Sequence, residues 1–239
     1  MKTFKDFNID VGNKTTGKIK TQCPKCSHTR KNKRDKCLSV DLEKGLWNCI
    51  RLIRRYWDIK KQPKKRIILA RTNAYHGSTI AAASLGGFEF VHKQFETLPY
   101  AQHIADPNWY NNGGDLSPDE FGLYAARELE KRIDELGEEN IAAFIAEPIQ
   151  GAGGVIVPPD SYWPEVRRIL DERDILFISD EVICGFGRTG SMFGCETYDM
   201  KPDLLTFAKA VTNGFQPLGG VMVSDKVADV ITNDGGEFG

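Results

Sequence analysis

No apolar run in the sequence is long enough to cross a bilayer, and the opening "MKTFKDFNID" has no signal-peptide-like apolar stretch. A membrane partner is therefore not expected, and the predicted location is cytoplasmic. Histidine is scarce, with 4 in 239 residues. Neither a His-Glu-x-x-His zinc motif nor a Gly-x-Ser-x-Gly nucleophile elbow occurs. His92 and His103 read as ordinary surface or loop residues. "GFGRTG" at 185–190 matches Gly-x-Gly-x-x-Gly in form only. The loop-like "SMFGCETYDMKPD" follows it, where a dinucleotide site needs an amphipathic helix.

Net charge is also small, at −1, but it hides a division. Residues 1–49 carry 12 Lys and Arg against 5 Asp and Glu, and hold 4 of the 6 cysteines. Residues 50–239 carry 20 Lys and Arg against 28 Asp and Glu. Such asymmetry predicts two segments, 1–49 and 50–239, with different partners.

In a cytoplasmic chain, paired cysteines suggest metal or chemistry before disulfides. "CPKC" places Cys23 and Cys26 in one knuckle, and "CLSVDLEKGLWNC" reads as a hairpin ending at Cys49. Within it Leu38, Val40 and Leu42 alternate, and Gly45 allows a turn before Leu46 and Trp47. A tetrahedral zinc site needs a fourth soft ligand, expected at position 52, where Leu52 stands. Cys37 or His28 could fill that place, and reduced, unliganded thiols are the plain alternative. The segment resembles the N-terminal zinc ribbon of phage-type Toprim primases and primase-helicases. That resemblance implies zinc on Cys23, Cys26 and Cys49. The basic run "RKNKRDK" suits weak nucleic-acid binding, although a solvated loop would have the same composition. No Walker A motif or Toprim acidic cluster follows, so neither primase nor helicase activity is carried over.

From Ile50 the pattern changes. Leu52 with Tyr56 and Ile53 with Trp57 form i,i+4 pairs, predicting an amphipathic helix that ends near Pro63. "RIILART" predicts a buried strand. Ser117, Pro118 and Glu120 signal a helix start, and Gly137 a stop. "AAFIAEP" and "ILFISDEV" read as strands buried on both faces, with a helix across "YWPEVRRILDER" between them. "DLLTFAKAV" and "PLGGVMVS" add two more strands. The alternation predicts an α/β fold with a mostly parallel sheet, preceded by the small β ribbon. Chemistry is expected at the carboxyl ends of such strands, which hold Glu147, Asp180 and the region around Lys209.

Asp180 ends an apolar strand and needs a cationic or donor partner. Lys209 follows another apolar stretch and is a candidate for imine chemistry. By residue chemistry alone, a structural Asp180–Lys209 ion pair is the favoured reading of the two.

"NAYHGST", "AAFIAEPIQGAGGVIVPPDSYWPE", "ILFISDEVICGFGRTG" and "KPDLLTFAKAVTNGFQPLGGVMVS" together resemble class III, ω-amino acid type, aminotransferases over residues 50–239. The resemblance implies the large domain of a fold-type I transferase using pyridoxal 5′-phosphate. It implies a homodimer that moves an amino group from an amine or ω-amino acid to a keto acid. Lys209 would bind the cofactor aldehyde and shuttle the proton, and Asp180 would keep the pyridine nitrogen protonated. Val182 and Tyr75 would pack on opposite ring faces, Glu147 would line the site, and His76 and Gly77 would shape the Tyr75 loop. Ile183 stands where the ornithine- and γ-aminobutyrate-type members carry Gln, which leans towards the ω-amino acid:pyruvate branch.

The resemblance covers less than half of a family member. "EKGLWNC" stands where the family's phosphate loop belongs, and the C-terminal domain is not matched. The expectation is a chimera whose transaminase activity is impaired. The alternative is a zinc-dependent, primase-type nucleic-acid-binding module joined to an inactive passenger.

Overall fold

The computed structural model describes Lys18–Thr21, Leu38–Asp41 and residues 45–233, with side chains from Cys49 onward. In chain order the first elements are β1 (Lys18–Thr21), β2 (Leu38–Asp41), α1 (Gly45–Ile59), β3 (Ile67–Arg71), α2 (Ile80–Leu85) and α3 (Glu89–His92). Next come β4 (Ala101–Ile104), α4 (Trp109–Asn112), α5 (Pro118–Leu136), β5 (Ile141–Ala146) and α6 (Tyr162–Glu172). The last are β6 (Leu176–Asp180), α7 (Gly194–Thr197), β7 (Leu204–Phe207), β8 (Gly220–Val223) and α8 (Asp225–Asn233).

The strands form one sheet in the order β1-β2-β8-β7-β6-β5-β3-β4. Strands β4, β3, β5, β6 and β7 are parallel. Strand β8 runs antiparallel to β7, β2 antiparallel to β8, and β1 antiparallel to β2. The central strands are apolar for most of their length because helices cover both faces. On one face Phe144, Phe177 and Leu205 pack with Phe121, Leu129, Trp163 and Ile169 of α5 and α6. On the other, Ile68, Ala143, Ile145 and Ile178 pack with Ile53 and Trp57 of α1 and Ile231 of α8. The indole of Trp57 also donates to the Ala142 carbonyl at 2.9 Å. Helix α5 begins as its sequence predicts, with a reciprocal capping box between Ser117 and Glu120.

Two expectations change at the amino-terminal side. "GLWNC" is not the second arm of a hairpin: α1 starts at Gly45 and runs through the expected boundary at 49/50. Cys49, Ile53 and Trp57 lie four residues apart along it and are all fully buried, so the helical spacing extends back past Ile50. The strand that β2 does pair with in a hairpin is β1. Cys49 is fully buried in the apolar cluster against the sheet, and burial, with Asp180 nearby, pushes its thiol up. Among the described residues no group of three or more His, Cys, Asp or Glu is placed to hold a metal. Cys23, Cys26, Cys37, His28 and the basic run at 30–36 lie outside the described residues.

Candidate active site

The parallel strands end along one edge of the sheet and bring together Arg71 from β3, Glu147 just after β5, Asp180 from β6 and Lys209 just after β7. Open α/β sheets bind ligands at this edge because loops and unpaired strand ends gather there.

Asp180 is 3% exposed. Its partner is His76, whose Nδ1 lies 2.7 Å from Asp180 Oδ2, and the amide of Val182 donates to Oδ1 at 3.1 Å. The expected Asp180–Lys209 ion pair is not formed. Lys209 is exposed, and its side chain makes no hydrogen bond or ion pair with the described residues, while its carbonyl accepts from the Thr212 amide at 3.2 Å. Its backbone sits at φ 47°, opening a short 3-10 turn after β7. A non-glycine residue in this region costs about 1–2 kcal/mol, so the surrounding structure holds Lys209 in place. Asp180 and Lys209 are neighbours through the sheet, since Asp180 pairs with Thr206.

Glu147 joins two loops. Its Oε1 accepts from the Tyr75 amide and its Oε2 from the Gly151 amide, both at 3.0 Å. Burial first pushes its carboxyl above the ordinary range, and His76, the Tyr75 amide and Arg71 oppose that. The loop carrying Tyr75 and His76 is further fixed by contacts that exclude side chains. A Cβ on Gly87 would collide with the Arg71 carbonyl, and one on Gly153 with the Asn73 carbonyl. Gly77, at φ 123°, takes a conformation that L side chains avoid. The Tyr75 ring is 40% exposed and leans on Phe88 at 6.3 Å between centroids. Val182 and Ile183 are half-buried beside it in sequence after Asp180, and Gly151 approaches Ile183 closely.

Of the residues singled out from sequence, the structure brings Tyr75, His76, Glu147, Asp180 and Val182 into one connected set and places Lys209 at the adjoining strand end. Sequence reasoning missed two neighbours. Cys49 reaches the set from beneath, through α1, and Arg71 is buried against Glu147. A signal for Arg71 was present: a charged residue closing the apolar run "IILA" is as anomalous as Asp180 closing "LFIS".

These residues fit pyridoxal phosphate. A buried carboxylate oriented by an imidazole suits a ring nitrogen, the imidazole Nε2 is buried without a partner among the described residues, and an unpaired lysine stands one strand away. Of the stretch 43–49 that stands where the family's phosphate loop belongs, residues 43 and 44 lie outside the described residues, and 45–49 open α1.

Comparison with known proteins agrees with this geometry. The aminotransferase class-III family profile matches residues 45–239. A putrescine–pyruvate aminotransferase from Pseudomonas aeruginosa is 59% identical over 190 residues, spanning 79% of this chain and 41% of its own length. An (S)-enantioselective omega-transaminase from Thermomicrobium roseum superposes with a TM-score of 0.77 at 45% identity, covering 80% of this chain and 43% of that one. An amine transaminase from an uncultivated Pseudomonas species, solved with PLP bound, superposes at 0.78 with 38% identity, covering 82% and 45%. The chain thus spans under half the length of the relatives it matches. The family match begins at Gly45, the residue that opens α1. This chain belongs to the class-III aminotransferases.

Proposed function

We propose that the chain carries the cofactor-binding core of a transaminase that moves an amino group from an amine to a keto acid such as pyruvate. The observation that carries this reading is the buried His76–Asp180 pair at the end of β6, with the Lys209 side chain just after β7 unpaired among the described residues. The relative at 59% identity, whose name gives putrescine and pyruvate, supports an amine donor and that acceptor. Ile183 points the same way by resemblance.

Pyridoxal phosphate, when bound, supplies an electron-withdrawing ring that makes a proton on the substrate carbon easier to remove. Asp180 would hold a proton on the ring nitrogen, and His76 keeps that carboxylate oriented. Val182 and Tyr75 would cover the two faces of the ring. The Nζ of Lys209 would hold the cofactor until an amine replaces it. The same atom would then carry a proton between the substrate carbon and the cofactor carbon. Glu147 fixes the Tyr75 loop relative to the 147–151 turn.

Borohydride reduction of the protein with pyridoxal phosphate, followed by peptide mass spectrometry, tests the site. The expected result is one reduced adduct per chain, on Lys209, lost in Lys209→Ala. Adducts spread over surface lysines, unchanged in Lys209→Ala, would overturn the reading. Formation of alanine from pyruvate and a diamine tests turnover separately.

A further inference from the structure

Glu181, the residue after Asp180, is fully buried, and its carboxylate serves a different segment of the chain. Its Oε2 accepts from the Gly194 amide at 2.8 Å. Its Oε1 accepts from the Cys195 amide at 2.7 Å and from the Ser179 hydroxyl at 3.0 Å. The Glu181 amide donates to the Thr206 carbonyl of β7 at 2.8 Å, and its carbonyl accepts from the Gly185 amide at 2.9 Å. A carboxylate is costly to bury unless donors meet it, and here every polar atom of the residue is engaged.

These bonds close residues 181–195 into a loop whose first residues flank the site. The Val182 amide donates to Asp180 Oδ1 at 3.1 Å. Ile183 lies against the Glu147–Gly151 turn, where a Cβ on Gly151 would stand 2.7 Å from Ile183 Cδ1. The Cys184 thiol donates to the Ile149 carbonyl at 3.4 Å. The far end of the loop returns to the same turn: a Cβ on Gly194 would stand 2.8 Å from Pro148 Cβ and 3.0 Å from Cys184 Cβ. At the tip, Phe186 sits at φ 63°, a conformation that a bulky side chain adopts only where its surroundings impose it. Its amide donates to the Met192 carbonyl at 2.6 Å. The Phe186–Met192 bond thus closes the tip of the loop, and the Glu181 carboxylate closes its base.

We propose that Glu181 is a positioning residue of this site: by closing the base of the 181–195 loop, it holds the Val182 amide on Asp180 and Ile183 against the Glu147–Gly151 turn. Among the described residues the Asp180 carboxylate has two hydrogen-bond partners, His76 and the Val182 amide, and the second is carried by this loop. Glu181→Gln keeps the shape of the side chain. Its amide oxygen can still serve Cys195 and Ser179, but its NH2 group then faces the Gly194 N–H, and two donors cannot pair. The base of the loop opens at Gly194, and the change reaches Asp180 through Val182. This placement is a property of the chain alone, and its use in holding a ring nitrogen rests on the transaminase reading.

The test is nitrogen-15 NMR of the full chain, labelled at backbone and histidine ring nitrogens, without added pyridoxal phosphate. In Glu181→Gln the Gly194 amide is expected to lose about tenfold or more of its protection from hydrogen exchange, as a lost bond to a charged acceptor implies. The His76 ring resonances, which report the contact with Asp180, are expected to move. Leu129→Ala, which weakens the core under α5 instead, is expected to leave them in place. His76 resonances unmoved in folded Glu181→Gln, or moved equally by Leu129→Ala, overturn the proposal. Should Glu181→Gln fail to fold, hydrogen exchange of the wild type decides: the Val182 amide is expected to open in one step with those of Gly194 and Cys195. A Val182 amide that opens independently of them overturns the proposal. With pyridoxal phosphate added, failure of the wild type to bind it would overturn the transaminase reading and leave the His76 comparison intact.

Discussion

At the scale of single residues, Glu147 is held by opposing effects. Burial raises its carboxyl from an ordinary 4.5, while two backbone amides reward the charged form. The net direction is upward, so the folded state binds the proton more tightly than the unfolded chain does. Stability tied to this group is then fully present below the ordinary value and is lost as pH rises through the folded one. Glu147→Gln removes the titration. Urea unfolding at rising pH from the ordinary carboxylate value of 4.5 upward is expected to show the wild type losing stability relative to Glu147→Gln. A constant or opposite difference would mean that the two amides outweigh burial. The same scale shows how far sequence reasoning reaches. Asp180 was found because a carboxylate closing an apolar strand needs a partner. The partner was misassigned to Lys209, when His76 supplies it from 104 residues away. Sequence proximity and sheet order both favour Lys209, since β7 pairs with β6 while β3 lies two strands away; it is the path of the loop after β3 that brings His76 to Asp180.

At the scale of elements, the strands and helices after Pro63 were legible because each carries its own signal. A capping box marks α5, and uninterrupted apolar runs mark β5 and β6. The start of α1 was not legible. Gly45 and the alternating Leu38, Val40 and Leu42 satisfy a hairpin locally, and β2 is indeed a strand. What overrides the second arm is burial: Cys49, Ile53 and Trp57 form one apolar row that the sheet face covers. Ile53→Ala, removing a fully buried side chain from the middle of that row, is expected to cost about 2–5 kcal/mol of unfolding free energy. Arg54→Ala, one residue on and exposed, with its guanidinium 4.8 Å from the centre of the Tyr100 ring, is expected to cost no more than about 1 kcal/mol. Urea denaturation of both variants checks the assignment. Equal effects would mean that α1 does not belong to the core.

At the scale of the whole molecule, both faces of the sheet are packed from β4 to β8, and α1 ties the amino-terminal side into that core. The β1–β2 hairpin is attached differently. Strand β2 meets β8 at two register positions, Leu38 to Met222 and Ser39 to Val221, whereas β5 and β6 share four. A two-stranded hairpin is marginal by itself in water, so its stability depends on that short seam. Hydrogen exchange should therefore separate the molecule into two levels. Amides of β3, β5, β6 and β7 are expected to exchange only on global unfolding, and those of β1 and β2 through a local opening of much lower free energy. If the hairpin amides were protected to the global limit, the segment before α1 would be part of the same cooperative unit as the aminotransferase core. Equal protection would leave the two-segment reading of the chain without physical support. Early exchange would mean that the family fold begins, energetically as well as by similarity, at the helix opened by Gly45.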